Sequence, residues 1–477
     1  NIAQTMVAFL AVVSIGGIWS VCAPDMGTNA VVDRFKQITP KVLIAVDGIT
    51  YGGKDMERHS VVGELRQALP SVAHVVIYRQ LGDQSALPDS TDWTQIMQRD
   101  DPAVHAFEPM WLDFNHPLWI VYSSGTTGLP KPLVHDHGGT MLNGMTHKNL
   151  HYDVACSYEP NSWGERFLWY SSTGWVMWNA QLSGLLSGTT CVIYDGNPGG
   201  SKDKPDWGVL WRYAASEGVT FFGGGAAFFA NCMKAHVQLS EIAGLHKVRA
   251  LGTTGSPLSA DVQQWGSDQF KQVYARAGVS RPDIWWCNIS GGTDAGAYVG
   301  GHRELPMVPG EMQCRFLGVS VEAWNEQRYL GSYFDTFPPG QGRKPGGGDL
   351  GPEAGAVWRH GDWLKITPQG RAIIYGRSDA TINRHGLRMG TSELYSAIEA
   401  LPEVMDSMVV DLEYLGRESY MPLFVVLRPG VALDDALRAR LNNAIRTALS
   451  PRFVPNEIFQ VTEIPRTLSG KKQELPI

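Results

Sequence analysis

Residues Leu118–Lys131 read LWIVYSSGTTGLPK. The first five are apolar, β-branched or aromatic, which predicts a buried strand. The rest is a run of Ser, Thr and Gly closed by Pro-Lys. Glycine lets the backbone approach an anion closely, and hydroxyls with free N–H groups then form a concave nest for phosphate. Lys131 adds positive charge to that nest. The pattern GxxxxGK[ST] does not describe this stretch, so the loop differs from that of the ordinary P-loop nucleotide hydrolases.

On either side of this segment, short buried strands are predicted at Lys41–Val46, Ala73–Tyr78, Thr190–Tyr194 and Val248–Gly252. They alternate with helical stretches, which argues for an α/β architecture with parallel sheet content. Residues 337–355 are rich in Gly and Pro and predict a surface loop. Beyond Arg377–Ala380 the character changes. Ser392–Leu401, Met405–Leu412, Tyr420–Leu427, Asp434–Leu449 and Glu457–Val461 read helix, strand, strand, helix, strand. The expected organisation is a large domain over 1–378, with stacked mixed sheets and helices, and a small mobile α+β domain over 379–477.

Composition excludes several classes. The chain of 477 residues is 43% hydrophobic and 18% charged, enough to bury a large core, so disorder and fibres are excluded. Its net charge of −7 leaves no basic excess to neutralise phosphates, which argues against nucleic-acid and membrane-surface partners. The six cysteines, at 22, 156, 191, 232, 287 and 314, form no CxxC pair. So few, so scattered, predict a reducing compartment and a cytoplasmic location. The apolar run Met6–Val13 is too short to span a bilayer and predicts a core helix. His135 and His137 lie two apart and face the same way on a strand, with no third metal ligand close in sequence. The tryptophan pairs Trp175 and Trp178, and Trp285 and Trp286, read as core more often than as ligand-binding residues.

The phosphate loop resembles the signature of adenylate-forming enzymes: acyl-CoA synthetases, peptide-synthetase adenylation domains and luciferases. Four further motifs follow in that family's order. They are SGGTD (290–294), HGDW (360–363), GRSD (376–379) with INRHGLRMG (382–390), and Ser469-Gly470-Lys471. STGWVMWN around Trp175, TTGSPL (253–258) and GIWSVCAPDMG (17–27) bring the resemblance closest to acetoacetate–CoA ligases. By that comparison, a segment before Asn1 and a stretch between Gln327 and Arg328 are expected to be missing.

The resemblance implies a reaction in two steps. A carboxylate attacks the α-phosphate of ATP to give an acyl-adenylate and pyrophosphate, and the CoA thiolate then displaces AMP to give a thioester. It implies roles as well. Ser123, Ser124, Gly125, Thr126, Thr127, Gly128 and Lys131 would cradle the β- and γ-phosphates. Thr293 would meet the α-phosphate, and Asp294 would hold Mg²⁺ where the usual residue is Glu. Gly255, Ser256 and Pro257 would line the adenine edge, while Asp362 and Arg377 would bind the ribose. Asp379 would be the hinge of a domain rotation that presents Lys471 for adenylation, then Gly386 and Arg388 for thioesterification.

The acyl pocket would be formed by Trp175, the run Gly223, Gly224, Gly225, Ala226 and Ala227, and Gly292 with Ala295. The run FFGGGAAFF (221–229) and the Ala295–Ala297 segment are smaller and less polar than their acetoacetate-ligase counterparts. Removing side chains enlarges a pocket, so the expected substrate is an acid larger and more apolar than acetoacetate. Two alternatives stay open: an enzyme specialised for thioesterification of a preformed adenylate, and an adenylation enzyme that loads a carrier protein. The sequence carries no signal of oligomeric state.

Overall fold

The computed structural model describes the chain apart from residues 84, 86, 124–128, 155–163, 202, 255–257, 259, 281–282, 292–297, 301–307, 310–329, 332–333, 336–337, 340–361, 367, 369–371, 378–380, 385–386, 400, 413–418 and 465–477. At some further positions, among them Ser123, Ala227, Ser290, Asp362, Arg377 and Arg388, only the backbone is described.

The fold is mixed α/β. Its largest sheet has seven strands, in the order Thr190–Cys191, Arg166–Trp169, Phe221–Gly225, Ala250–Thr254, Trp285–Gly291, Tyr298–Gly300 and Val308–Pro309. The first five are parallel and the last two are added antiparallel. Parallel strands need crossover segments, and the helices Val209–Ser216, Ala226–Lys234 and Ala260–Arg276 stand between them in sequence. A second parallel sheet pairs Val42–Val46 with His74–Tyr78 and Ser90–Asp92. The Thr190–Tyr194 prediction was too long: the strand stops at Cys191.

The phosphate-loop strand forms where it was expected, as Pro117–Ser123. It pairs antiparallel with Lys131–Asp136, and Ser123 stands opposite Lys131. The hairpin therefore closes at the two ends of the Ser/Thr/Gly loop and sets Lys131 at its mouth. Asp136 caps the following helix, His137–Met145, accepting from the Gly139 N–H at 2.6 Å.

Near the C-terminus, Val404–Val409, Pro422–Leu427 and Glu457–Gln460 form a three-stranded sheet. The helices Thr391–Glu399 and Asp435–Ala448 cover it. Leu437, Leu441 and Ile445 recur every four residues, so one helical face is apolar and buries against that sheet. Asp434 caps the helix through the Leu437 N–H, at 2.8 Å. This unit touches the N-terminal region closely. The Gly27 N–H donates to the Leu449 carbonyl at 3.2 Å, and a β-carbon on Gly27 would fall 1.6 Å from the Thr447 carbonyl oxygen. Arg452 reaches the Tyr51 hydroxyl at 3.1 Å and the Asp25 carboxylate at 3.8 Å.

Among the described residues no helix is long and apolar enough to cross a membrane. Cys22, Cys191, Cys232 and Cys287 are free thiols.

Candidate functional site

The parallel strands Phe221–Gly225, Ala250–Thr254 and Trp285–Gly291 end side by side at Gly225, Thr254 and Gly291. Ligands of open parallel sheets bind beyond these carboxyl ends. Thr254 and Gly291 lead directly into Gly255–Pro257 and Gly292–Asp294, the segments expected at the adenine and the α-phosphate. Two cavities lie at this edge, and Trp175 borders both.

The first cavity, of about 120 Å³, is lined by Trp175, Lys148, Tyr152, Asn179, Thr254 and Gly291, among others. His135 and His147 also border it, and none of the described residues that line it is acidic. The second, of about 140 Å³, lies between Trp175, Tyr170, Gly225, Phe228 and Arg452. Trp175 is 8% exposed and opens the helix Val176–Leu182 as its N-cap residue. Trp178 is fully buried against Phe9 and Trp19, and Trp286 is held by the Ser267 hydroxyl at 3.1 Å.

His135 accepts at Nδ1 from the Trp119 indole N–H, 2.9 Å away, which leaves the proton of the neutral ring on Nε2. Burial, with Lys148 and His151 nearby, drives the His147 pKa down to about 2, so this ring stays neutral. Among the described residues no group of three His, Cys, Asp or Glu side chains could hold a metal ion.

Lys148 was not singled out from the sequence. It sits in a π-helical turn, Thr146–His151, that continues the helix His137–Met145. Such turns are rare and recur at functional sites. The side chain is fully buried, and among the described residues its ammonium has no hydrogen-bond partner. Nζ lies 3.9 Å from the centre of the Phe167 ring and 4.6 Å from that of Tyr152. Desolvation lowers its pKa to about 7, against smaller opposing effects of Cys191 and Cys287. Asn179 Nδ2 and Thr253 Oγ1 are likewise buried without a partner.

The glycine run is not a uniformly empty floor. A β-carbon on Gly223 would meet the Trp169 ring at 2.2 Å, and one on Gly252 would meet the same ring at 2.4 Å. Trp169 thus occupies the volume those glycines leave. Gly224 faces Phe228 and Phe229 in the core, and Gly225 borders the second cavity. Ala226 is buried. The cavity that holds Trp175, Thr254 and Gly291 is also more polar than the sequence suggested.

Ser124–Gly128, Gly255–Pro257, Gly292–Ala295, Asp379, Gly386 and Lys471 lie outside the described residues. Ser123 ends its strand opposite Lys131. Asp362 pairs with Arg377 across the hairpin of Asp362–Ile366 and Ala372–Arg377, which brings the two expected ribose residues together in backbone register. Arg388 stands opposite Asn383 in the Thr381–Arg384 and Leu387–Gly390 hairpin.

Residues 1–278 match the AMP-binding enzyme family, and residues 393–471 match the AMP-binding enzyme C-terminal domain. The chain is 35% identical to an acetoacetyl-coenzyme A synthetase of Rhizobium meliloti, over 100% of this chain and 72% of that protein. An acetoacetyl-CoA synthetase of Gallus gallus is 33% identical with the same coverage. The solved structure of the acetoacetyl-CoA synthetase from Streptomyces lividans is 40% identical, with a TM-score of 0.67 over 100% of this chain and 71% of that one.

Proposed function

This chain belongs to the AMP-binding enzyme family, among adenylate-forming ligases close to the acetoacetate–CoA ligases, and from that premise we propose an ATP-dependent acyl-CoA ligase whose acid is larger than acetoacetate. The observation that carries the reading is the 120 Å³ cavity at the carboxyl ends of the parallel strands. Thr254 and Gly291 line it, and the segments that would hold the nucleotide start at the next residue of each. An acid in that cavity would present its carboxylate to the α-phosphate.

The residues then divide the work. The loop Ser123–Gly128 with Lys131 would hold the outer phosphates, and Asp362 with Arg377 the ribose. Lys471 would neutralise charge where carboxylate and α-phosphate meet. Asp294 offers the oxygen donor that Mg²⁺ prefers, and the ion would lower the repulsion between those two anions. Rotation about Asp379 would then exchange Lys471 for Gly386 and Arg388, which would meet the nucleotide and the CoA arm. The relatives are named for acetoacetate, and acetoacetate is the reference acid for testing the size of this substrate.

The test mixes the enzyme with ATP, CoA and a panel of acids and follows AMP and pyrophosphate separately. Lys471→Ala is expected to lower adenylate formation by roughly 100-fold or more while largely sparing thioester formation from supplied acyl-adenylate. Equal loss of both steps would remove the assigned role. Wild type that prefers acetoacetate would overturn the larger acid. Wild type that makes no adenylate, yet converts supplied adenylate, would favour an enzyme specialised for the second step.

A further inference from the structure

We propose that Lys148 sets acid specificity by receiving an anionic oxygen at the far end of the acid, so that the preferred substrate is a dicarboxylic acid activated at one end. The inference rests on the ligase reading above and names the substrate class of the same cavity.

Three observations carry it. Lys148 borders the cavity beside Trp175, Thr254 and Gly291, where the acyl chain would lie. Its ammonium is buried with no hydrogen-bond partner among the described residues, and it lies against the faces of Phe167 and Tyr152. Among the described residues that line the cavity there is no acid to balance it. A buried cation without a counter-charge is costly, and breaking such a pair elsewhere in proteins is strongly destabilising. Ring faces compensate in part. A ligand carboxylate would compensate fully, through a charge-assisted hydrogen bond. Lysine has a flexible four-carbon stem with rotatable donors, so Nζ can exchange the ring faces for an oxygen within the cavity. The unpartnered amide of Asn179, on the same wall, offers a second donor to that oxygen pair. A purely apolar tail would leave both donors unsatisfied, and a pocket built around polar groups rejects such analogues strongly.

The experiment compares three acids of matched chain length: a dicarboxylate, the corresponding oxo acid and the plain alkanoate. kcat/KM is measured at saturating ATP and CoA for wild type and Lys148→Met, and calorimetry gives Kd for each acid alone. In wild type the dicarboxylate is expected to exceed the alkanoate by roughly 30-fold in both measurements, the worth of one hydrogen bond to a charged group. In Lys148→Met that preference should vanish or reverse, because Met removes the cation and fits an apolar tail. The wild-type ratio decides the matter even where the variant folds poorly. Failure of every acid to yield acyl-CoA would defeat the ligase reading, and the calorimetric ratio would still judge the specificity claim. A wild-type preference for the alkanoate overturns the proposal. So does a preference for the oxo acid, which would assign Lys148 to a neutral carbonyl, and so does an unchanged ratio in Lys148→Met.

Discussion

Side chains of the Arg166–Trp169, Phe221–Gly225, Ala250–Thr254 and Trp285–Gly291 strands alternate between two faces of one sheet, and the two faces are filled in different ways. On one, Leu168, Phe222 and Leu251 are fully buried, and Trp286 packs against them with Trp211, Phe229 and Phe270. Trp211 and Phe222 stack with ring centres 4.4 Å apart. On the other, Phe167, Trp169, Phe221, Ala250 and Cys287 pack with Tyr152. That cluster also holds the Lys148 ammonium and borders the cavity at Trp175 and Tyr152. The first face contributes stability in the usual way, each buried aromatic giving about 1.5–3 kcal/mol. The second gives some of that up to keep an unbalanced charge beside a hole. Stability sacrificed at one place in a well-packed sheet supports the proposal that chemistry is done on that side.

The largest effect is expected at Gly223, on the cavity face. An alanine there must displace three atoms of the Trp169 ring that lie within 2.8 Å of its β-carbon, in a fully buried site. Overpacking of this kind costs about 3 kcal/mol. Gly223→Ala should therefore lower the midpoint of chemical denaturation without changing its slope. A midpoint equal to wild type would show that Trp169 moves freely, and that the cavity face is as soft as a surface.

Several strands of the other sheets were legible in the sequence, because strand signals are local. Val42–Val46, His74–Tyr78 and the phosphate-loop strand were expected within a residue or two of where they lie. The filling of the faces was not legible. Trp169 fills the space beside Gly223 because the two residues are register partners on adjacent parallel strands, and no window along the chain joins them. Lys148 shows the same limit. Thr-His-Lys-Asn-Leu-His reads as a polar turn, and its burial comes from strands contributed by distant segments. The π-helical turn that turns it inward has no sequence signature of its own. Trp175 could be found because a motif surrounded it.

Lys148 sharpens the comparison through pH. Its pKa is lowered in the fold, to about 7, so between that value and the unfolded value the unfolded chain binds more protons. Stability from this group therefore rises as pH rises. Around it stand His147 and His151 of its own turn, Tyr152, His135 across the cavity, and the Cys191 and Cys287 thiols. Burial raises the Cys191 thiol to about 11, raises that of Cys287 further still and moves His147 down, so none of these three titrates in the fold just above neutrality. Lys148→Met should be more stable than wild type at neutral pH, with the gap closing by about 1.5 kcal/mol between pH ~7 and ~8.5. Melting curves of both proteins across that range measure it. A gap independent of pH would mean that the lysine is already neutral, or is solvated in solution.

The smallest effect lies one residue from the largest, on the dry face. A β-carbon on Gly224 would meet Phe228 at 3.6 Å and Phe229 at 3.9 Å, which is ordinary van der Waals contact. Gly224 sits mid-strand, and its φ does not lie in the left-handed region that would demand glycine. Alanine restricts the unfolded chain and adds a methyl group to a cluster of rings, so Gly224→Ala should stabilise by about 0.5 kcal/mol. The same methyl, moved by one residue, thus changes the sign of its effect because successive side chains enter opposite faces. The measurement is the denaturation midpoint of Gly224→Ala beside that of Gly223→Ala. Losses of equal size in both would mean that the dry face has no more tolerance than the cavity face, and the contrast between them would fail. A small gain at Gly224 with a large loss at Gly223 would place the tension in this sheet at Trp169, which packs with the Phe167 and Tyr152 rings that hold the ammonium.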